Sequence, residues 1–268
     1  MERLISPGGT VVSYDMYGSG PPLVLVHGGF SDHRTNWELV KVPLSERFTV
    51  HAIARRGRGE TDATEGHTLE DEARDVAALI QSAGEPVFLL GHSYGAHCAL
   101  AAALLIPGGV RRLILYEALF PAAISTDALT RLEMLAAAGE WDDLAVTFFR
   151  DTLRVPVREL EALRSTDAWP PIVADARASI GDIRALHRHV FDIEPCRRIA
   201  IPVLLQFGSE SPRDLYLTDA LAAVLPDGRI EALPGQAHEG MTTAPVMYVE
   251  SVKRFLLGHP AVQARILP

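Results

Sequence analysis

The stretch Val87-Phe88-Leu89-Leu90-Gly91-His92-Ser93-Tyr94-Gly95-Ala96 decides how this chain is read. Residues 87–90 form an unbroken apolar run, residues 96–106 are mostly small residues and leucines, and G-x-S-x-G stands between them. Strand, sharp turn and helix in that order force Ser93 into a strained backbone position and lift its hydroxyl above the sheet edge. Glycines on both sides suit such a turn, because a Cβ there would collide where strand and helix nearly touch. The bare pattern is common, and an ordinary strand-to-helix turn also satisfies it. The flanking elements are what make Ser93 a candidate nucleophile.

Outward from the turn the chain keeps one rhythm. Strands are expected at 11–17, 23–26, 48–53, 113–116, 203–207 and 229–233, and helices at 36–46, 68–82, 214–224 and 246–257. The second helix carries an apolar stripe at Leu69, Ala73, Val76, Ala77 and Ile80, and Thr68 with Asp71 makes a capping box. Strands alternating with helices predict the α/β class, a mainly parallel central sheet flanked by helices. Residues 120–195 break the rhythm. They show no strand pattern, and helices are expected at 126–138, 141–153, 157–165 and 180–190, punctuated by Pro156, Pro170-Pro171 and Gly181.

Composition narrows the function classes. The chain has 268 residues, 48% hydrophobic and 22% charged, enough for a sizeable core. Its net charge of −9 argues against a nucleic-acid partner. The pairs Arg55-Arg56, Arg111-Arg112 and Arg197-Arg198 read as solvated faces or loop anchors. The two cysteines, Cys98 and Cys196, read as free thiols. Residues 1–7 lack an apolar stretch of signal-peptide length, and the run 98–106 is too short to span a bilayer. A cytoplasmic protein with no membrane partner is expected; a homo-oligomer is compatible with the sequence. No metal motif is present, and Gly57-x-Gly59 lacks the rest of a dinucleotide fingerprint, so no metal and no cofactor are expected.

Four features together resemble the α/β-hydrolase fold superfamily over nearly the whole chain: His27-Gly28-Gly29-Phe30 after an early strand, Arg56-Gly57-Arg58-Gly59 after the next, the Ser93 turn, and Gly235-Gln236-Ala237-His238-Glu239-Gly240 near the end. The resemblance implies an α/β-hydrolase core over 1–119 and 196–268 and a helical cap over 120–195. It implies hydrolysis without naming the substrate. A serine hydroxyl needs a base to become nucleophilic. Of the ten histidines, His238 lies in a Gly/Pro-rich loop after a strand, where this architecture places chemistry. His92 is expected to point into the protein, and His187 and His189 diverge by about 200° on a helix. The oxyanion donors would be the amides of Tyr94, the residue after the nucleophile, and, by resemblance, Gly29.

The triad acid stays open. Relatives usually carry Asp three residues past the glycine of strand 203–207, but that position is Ser211, and Glu210 is one residue short. Glu117, ending strand 113–116, is favoured over Glu210 because some members use a Glu there. The expected reaction is cleavage of a small-molecule carboxylic ester or lactone by a serine hydrolase. Alternatives are C–C bond hydrolysis or lyase chemistry, perhydrolysis, and a ligand receptor with little turnover. Phe30, Trp141, Phe148 and Trp169 are the candidate substrate-binding residues, with Phe120, Leu135 and Phe149 as further candidate walls.

Overall fold

The computed structural model describes residues 1–258. Eight strands make one sheet: β1 (Glu2–Ile5), β2 (Val11–Tyr17), β3 (Pro22–Val26), β4 (Thr49–Ile53), β5 (Val87–His92), β6 (Val110–Tyr116), β7 (Val203–Gly208) and β8 (Gly228–Leu233). Their spatial order is β1-β2-β4-β3-β5-β6-β7-β8. β2 pairs antiparallel with both β1 and β4, and the remaining pairs are parallel. This is the α/β class read from the sequence. From β3 the chain passes to β4 on one side and then crosses back to β5 on the other. The carboxyl ends of β3 and β5 therefore flank the crevice where such sheets bind ligands.

The helices are α1 (Lys41–Ser45), α2 (Leu69–Ser82), α3 (Tyr94–Leu105), α4 (Thr126–Ala138), α5 (Trp141–Thr147), α6 (Val157–Arg164), α7 (Trp169–Arg188), α8 (Thr218–Ala222), α9 (Gly240–Thr243) and α10 (Pro245–Leu257). They cover both faces of the sheet, which explains the wholly apolar β3. Leu23 and Leu25 enter one cluster with Leu44, Tyr248 and Val252, while Val24 and Val26 enter another with Val76, Ile80 and Cys98. The period-2 alternation of a strand thus feeds two cores. The Thr68–Asp71 capping box starts α2 as expected. Cys98 and Cys196 are buried free thiols.

Several expectations need correction. The helix expected at 36–46 is only α1, preceded by turns. The Asp32 carboxylate accepts from the amides of Arg34 and Thr35 at 2.8 and 2.7 Å, holding a turn where a helix would have begun. The helix expected at 214–224 is a 3₁₀ turn, Arg213–Leu215, and the short α8. Tyr216 is drawn out between them to bridge Leu119. Of the two readings of the Arg55-Arg56 pair, the buried side chains fit the loop anchor and not the solvated face. β1 was not expected, because its Glu2 and Arg3 carry no apolar signal.

Between β6 and β7 the described chain is helical. The helix expected at 180–190 starts at Trp169, because Pro170 and Pro171 sit in its first turn, where missing amide hydrogens cost nothing. The helix expected at 141–153 stops at Thr147 and widens into a π turn, Phe148–Thr152. Ile124, Leu132, Leu144 and Ile183 of this helical segment join the same core cluster as α2 and α3.

Candidate active site

Ser93 stands between the last residue of β5 and the first of α3, with φ 54° and ψ −122°. Its amide donates to the Tyr116 carbonyl at 2.8 Å. A Cβ on Gly91 would lie 2.6 Å from Ala96 Cα, and one on Gly95 would lie 2.7 Å from the Val26 carbonyl carbon. The two glycines are therefore steric requirements of the turn.

His238 follows β8 in the loop before α9, lines the same cavity as Ser93, and meets Glu117. Its Nδ1–H donates to Glu117 Oε2 at 2.6 Å, while the Gly208 amide donates to Glu117 Oε1 at 2.7 Å. Glu117 is fully buried and has φ 51°, a left-handed turn just past β6 that presents its carboxylate to the neighbouring loops. Glu210 is exposed, and its carboxylate accepts from the Ser209 hydroxyl at 3.0 Å. Of the two acids left open by the sequence, the structure brings Glu117 to His238. Burial is the largest effect on the His238 imidazole and lowers its pKa. The hydrogen bond and charge of Glu117, with Glu239, outweigh it and hold His238 above the ordinary histidine value.

Residues missed by the sequence reading hold this histidine in place. The Tyr216 ring stacks on it at 5.7 Å between centroids and 13° between planes, with its hydroxyl 3.3 Å from Nδ1. The Tyr116 hydroxyl donates to the Ala237 carbonyl. His92 points inward as expected, with Nε2 3.0 Å from the His238 carbonyl oxygen. Burial drives the His92 pKa well below the histidine range, with the nearby His238 adding to the effect, so His92 stays neutral. No local pattern marks Tyr116 or Tyr216, because their partner is more than twenty residues away in sequence.

The loop after β3 supplies the other side. The Gly28 amide donates to Asn36 Oδ1 at 2.8 Å and the Phe30 amide to Ser179 Oγ at 2.6 Å. Gly29, between them, lines the same cavity as Ser93 and Tyr94. Phe30 has φ 55° and packs its ring 4.9 Å from Phe148 and 5.4 Å from Phe149.

The cavity is narrow, about 30 Å³. Leu119, Ile124, Phe148, Phe149, Ile183 and Leu186 give it apolar walls, and Ser179, Asp182 and Glu239 complete it. Phe30 and Phe148 are at the wall, as expected. Trp141 and Trp169 are not, and their assignment to substrate is corrected. The Trp169 indole N–H donates to Asp142 at 2.6 Å and its ring packs edge-on to Phe149, so it joins helices. The Trp141 ring lies under the Arg177 guanidinium at 5.5 Å. The Asp142 carboxylate on α5 gives the Trp169 indole N–H its acceptor within the helical layer, which turns that ring away from the cavity. Phe120 and Leu135 likewise pack against the core cluster away from the lining.

Among the described residues, two groups bring possible metal-ligand atoms within 4.8 Å: His92–His238–Glu239 and His67–Glu72–Asp182. In the second, Arg55 and Arg58 already neutralise the carboxylates. In the first, Glu117 engages His238 Nδ1 and the His238 carbonyl engages His92. Neither arrangement favours a cation.

A sequence profile described as "Alpha/beta hydrolase family" matches residues 23–250. The chain is 28% identical over 272 aligned positions to 2-(acetamidomethylene)succinate hydrolase of Mesorhizobium japonicum, covering 96% of this chain and 95% of that protein. An alpha/beta hydrolase from Sphaerobacter thermophilus superposes with a TM-score of 0.83 at 30% identity, over 95% of this chain and 100% of that one. An enol-lactonase from Burkholderia xenovorans superposes with a TM-score of 0.78 at 19% identity, over 96% and 100% of the two chains, a likeness of fold alone.

Proposed function

The chain belongs to the alpha/beta hydrolase family, and from that premise we propose that it is a serine hydrolase cleaving a carboxylic ester or lactone through an acyl-enzyme on Ser93. The observation that carries the reading is the buried Glu117–His238 pair opening into the cavity that Ser93 lines. With Nδ1–H donated to Glu117, the lone pair of His238 is on Nε2, the atom that has to accept the serine proton.

The steps follow from these positions. Ser93 Oγ attacks the substrate carbonyl carbon while its proton passes to His238 Nε2. The carbonyl oxygen becomes an oxyanion and accepts from the Gly29 and Tyr94 amides. The tetrahedral intermediate expels the alcohol, which takes the proton from His238. Water then attacks the acyl-enzyme with His238 again as base, and the acid leaves. In a lactone the alcohol and the acid stay on one molecule.

The walls favour a neutral, apolar acyl group. The described lining contains no Lys or Arg, and Asp182, its buried carboxylate, already accepts from Arg55 and Arg58. An anionic acyl group, such as the succinate in the name of the Mesorhizobium relative, would find no free cation there. The helical segment 120–195, which supplies Ile124, Phe148, Phe149 and Ile183, acts in this reading as the cap that selects the acyl chain.

A fluorophosphonate labels an activated serine and not a receptor that has lost turnover. The expected result is labelling of wild type, none of Ser93→Ala, and hydrolysis of neutral p-nitrophenyl esters well above that of succinate half-esters. Undiminished labelling of Ser93→Ala would remove the proposed nucleophile.

A further inference from the structure

We infer that Arg55 is a positioning residue for the oxyanion hole: its guanidinium fixes and polarises the peptide that carries the Gly29 N–H, and packs beneath Tyr94, which carries the second donor. The inference rests on the serine-hydrolase reading above and names what orients its electrophilic side.

The Gly28 carbonyl and the Gly29 N–H belong to one trans peptide, so they point in opposite directions in one plane. Holding the oxygen therefore aims the N–H. Arg55 Nη2 donates to the Gly28 oxygen at 2.8 Å. His27 Nδ1 lies 2.8 Å from the same oxygen, and His27 Nε2 accepts from the Arg55 amide at 3.1 Å, so Nδ1 carries the hydrogen and donates as well. Arg55 Nε donates to the His27 oxygen at 2.8 Å, fixing the preceding peptide. A cation on the carbonyl side of a peptide draws electron density toward the oxygen, which strengthens the N–H on the other side as a donor.

The ring of the residue that carries the second donor packs on the same group. The Arg55 guanidinium lies 4.6 Å from the centroid of the Tyr94 ring. It is itself pinned. Nη1 donates to Glu72 at 2.9 Å and to Asp182 Oδ1 at 3.1 Å, and Nη2 donates to Asp182 Oδ2 at 2.7 Å. With Gly28 and His27 these contacts use all five guanidinium N–H groups, and Arg55 is buried. Buried ion pairs often contribute little net stability compared with apolar packing of the same volume. Fixed charge directed at a reacting peptide is a function that apolar packing does not supply.

Asp182 lies on α7 and also lines the cavity, and Ser179, one turn earlier, accepts from the Phe30 amide. The same helix that walls the acyl pocket thus anchors the guanidinium and steadies the residue after Gly29.

The test is Arg55→Lys, which keeps the charge but has three donors in place of the planar five. Wild type is first labelled with fluorophosphonate. If Ser93 does not react, the serine-hydrolase reading fails and takes this inference with it. If Ser93 reacts, Arg55→Lys is expected to lower kcat on a short neutral ester about 10- to 100-fold, below the full loss of a donor, with little change in KM. Affinity for an alkyl boronic acid, whose tetrahedral adduct places an oxygen in the hole, should weaken by the same factor. The carbonyl stretch of a slowly deacylating acyl-enzyme should move to higher frequency, a readout that a purely structural role would not shift. Unchanged kcat, boronate affinity and stretch in a folded Arg55→Lys overturn the inference. Should that variant not fold, Asp182→Asn preserves shape while removing the anion that pins the guanidinium. It should lower kcat and boronate affinity in parallel by about 3- to 10-fold, with KM little changed, a fraction of the loss of a whole donor. No change in either would also overturn it.

Discussion

Among the described residues four non-glycine residues have φ in the left-handed region, and three of them, Phe30, Ser93 and Glu117, stand around the same site. Each such conformation costs on the order of 1–3 kcal/mol, so their clustering around one cavity supports the proposed site. Ser93→Ala should leave folding nearly unchanged and reduce ester hydrolysis about 10⁴-fold or more, with His238→Ala matching it because triad members act as a unit; activity within tenfold of wild type in either variant would end that assignment. Glu117→Gln should slow turnover about 10³- to 10⁴-fold, since a neutral amide in place of Oε1 and Oε2 admits the wrong imidazole tautomer. Glu210→Gln should be nearly silent because its carboxylate is exposed; reversed losses in the two variants would transfer the role. The pH profile follows from His238, whose pKa is raised despite burial. Its base form is lost as pH falls through that value, so the acidic limb of kcat/KM should lie above the ordinary histidine pKa of about 6.5 and move to lower pH in Glu117→Gln. Stability has the opposite sign. The folded state favours protonated His238, so this contribution is complete below the ordinary histidine pKa and is lost as pH rises through the raised one.

At the scale of elements, the turn between β5 and α3 was the most legible part of the chain, because its requirements are local. Gly95→Ala places a Cβ against the Val26 backbone, which cannot yield as a side chain would. A destabilisation of about 1–3 kcal/mol or more is expected by thermal denaturation, and an unchanged Tm would mean that α3 shifts freely on β3. The π turn Phe148–Thr152 was not legible, since helix periodicity alone does not register one wide turn. Two adjacent aromatics at its start, Phe148 and Phe149, both line the cavity. Phe148→Ala should alter relative rates between short and long acyl esters by about tenfold, in keeping with the 1–3 kcal/mol that a pocket contact contributes to selection. Trp169→Ala should instead lower Tm and affect all esters alike, because its indole joins Asp142 and Phe149 rather than the cavity. Equal, substrate-independent effects from both variants would mean that Phe148 is packing as well.

At the scale of the molecule, α7 is bound to the loop after β4 by Arg55 and Arg58 with Asp182 and by Arg58 with Asp175, and to the loop after β3 by the Phe30 amide donating to Ser179. Burial alone would raise the Asp182 pKa, but the two guanidiniums hold it below the usual carboxylate range. Stability from the Asp182 pairs is therefore complete above the ordinary carboxylate pKa of about 4 and is lost as pH falls through the depressed one, whereas burial holds the Asp175 carboxyl above its ordinary range and gives it the opposite sign. Hydrogen exchange should show α7 protected as well at pH 5 as at pH 7 and loosening only in stronger acid; early loosening at pH 5 would mean that the ion pairs do not hold the helix. Such a joint cannot be read from sequence, where Arg55 and Asp182 are 127 positions apart and the Arg55-Arg56 pair reads equally as a solvated face or a loop anchor. By itself the sequence determined the alternation of strands and helices, the Thr68–Asp71 cap, the Ser93 turn and a histidine in a late loop, because periodicity, capping and turn sterics act within a few residues. Tertiary structure alone brought Glu117 rather than Glu210 to His238, left Trp141 and Trp169 off the cavity wall, and placed Arg55 behind Gly28. The Glu117–His238 contact depends on β6 and β7 lying side by side and on a left-handed turn that sends the Glu117 carboxylate toward Gly208 and His238. Those are relations between distant segments, and they exist only once the sheet has set its lateral order.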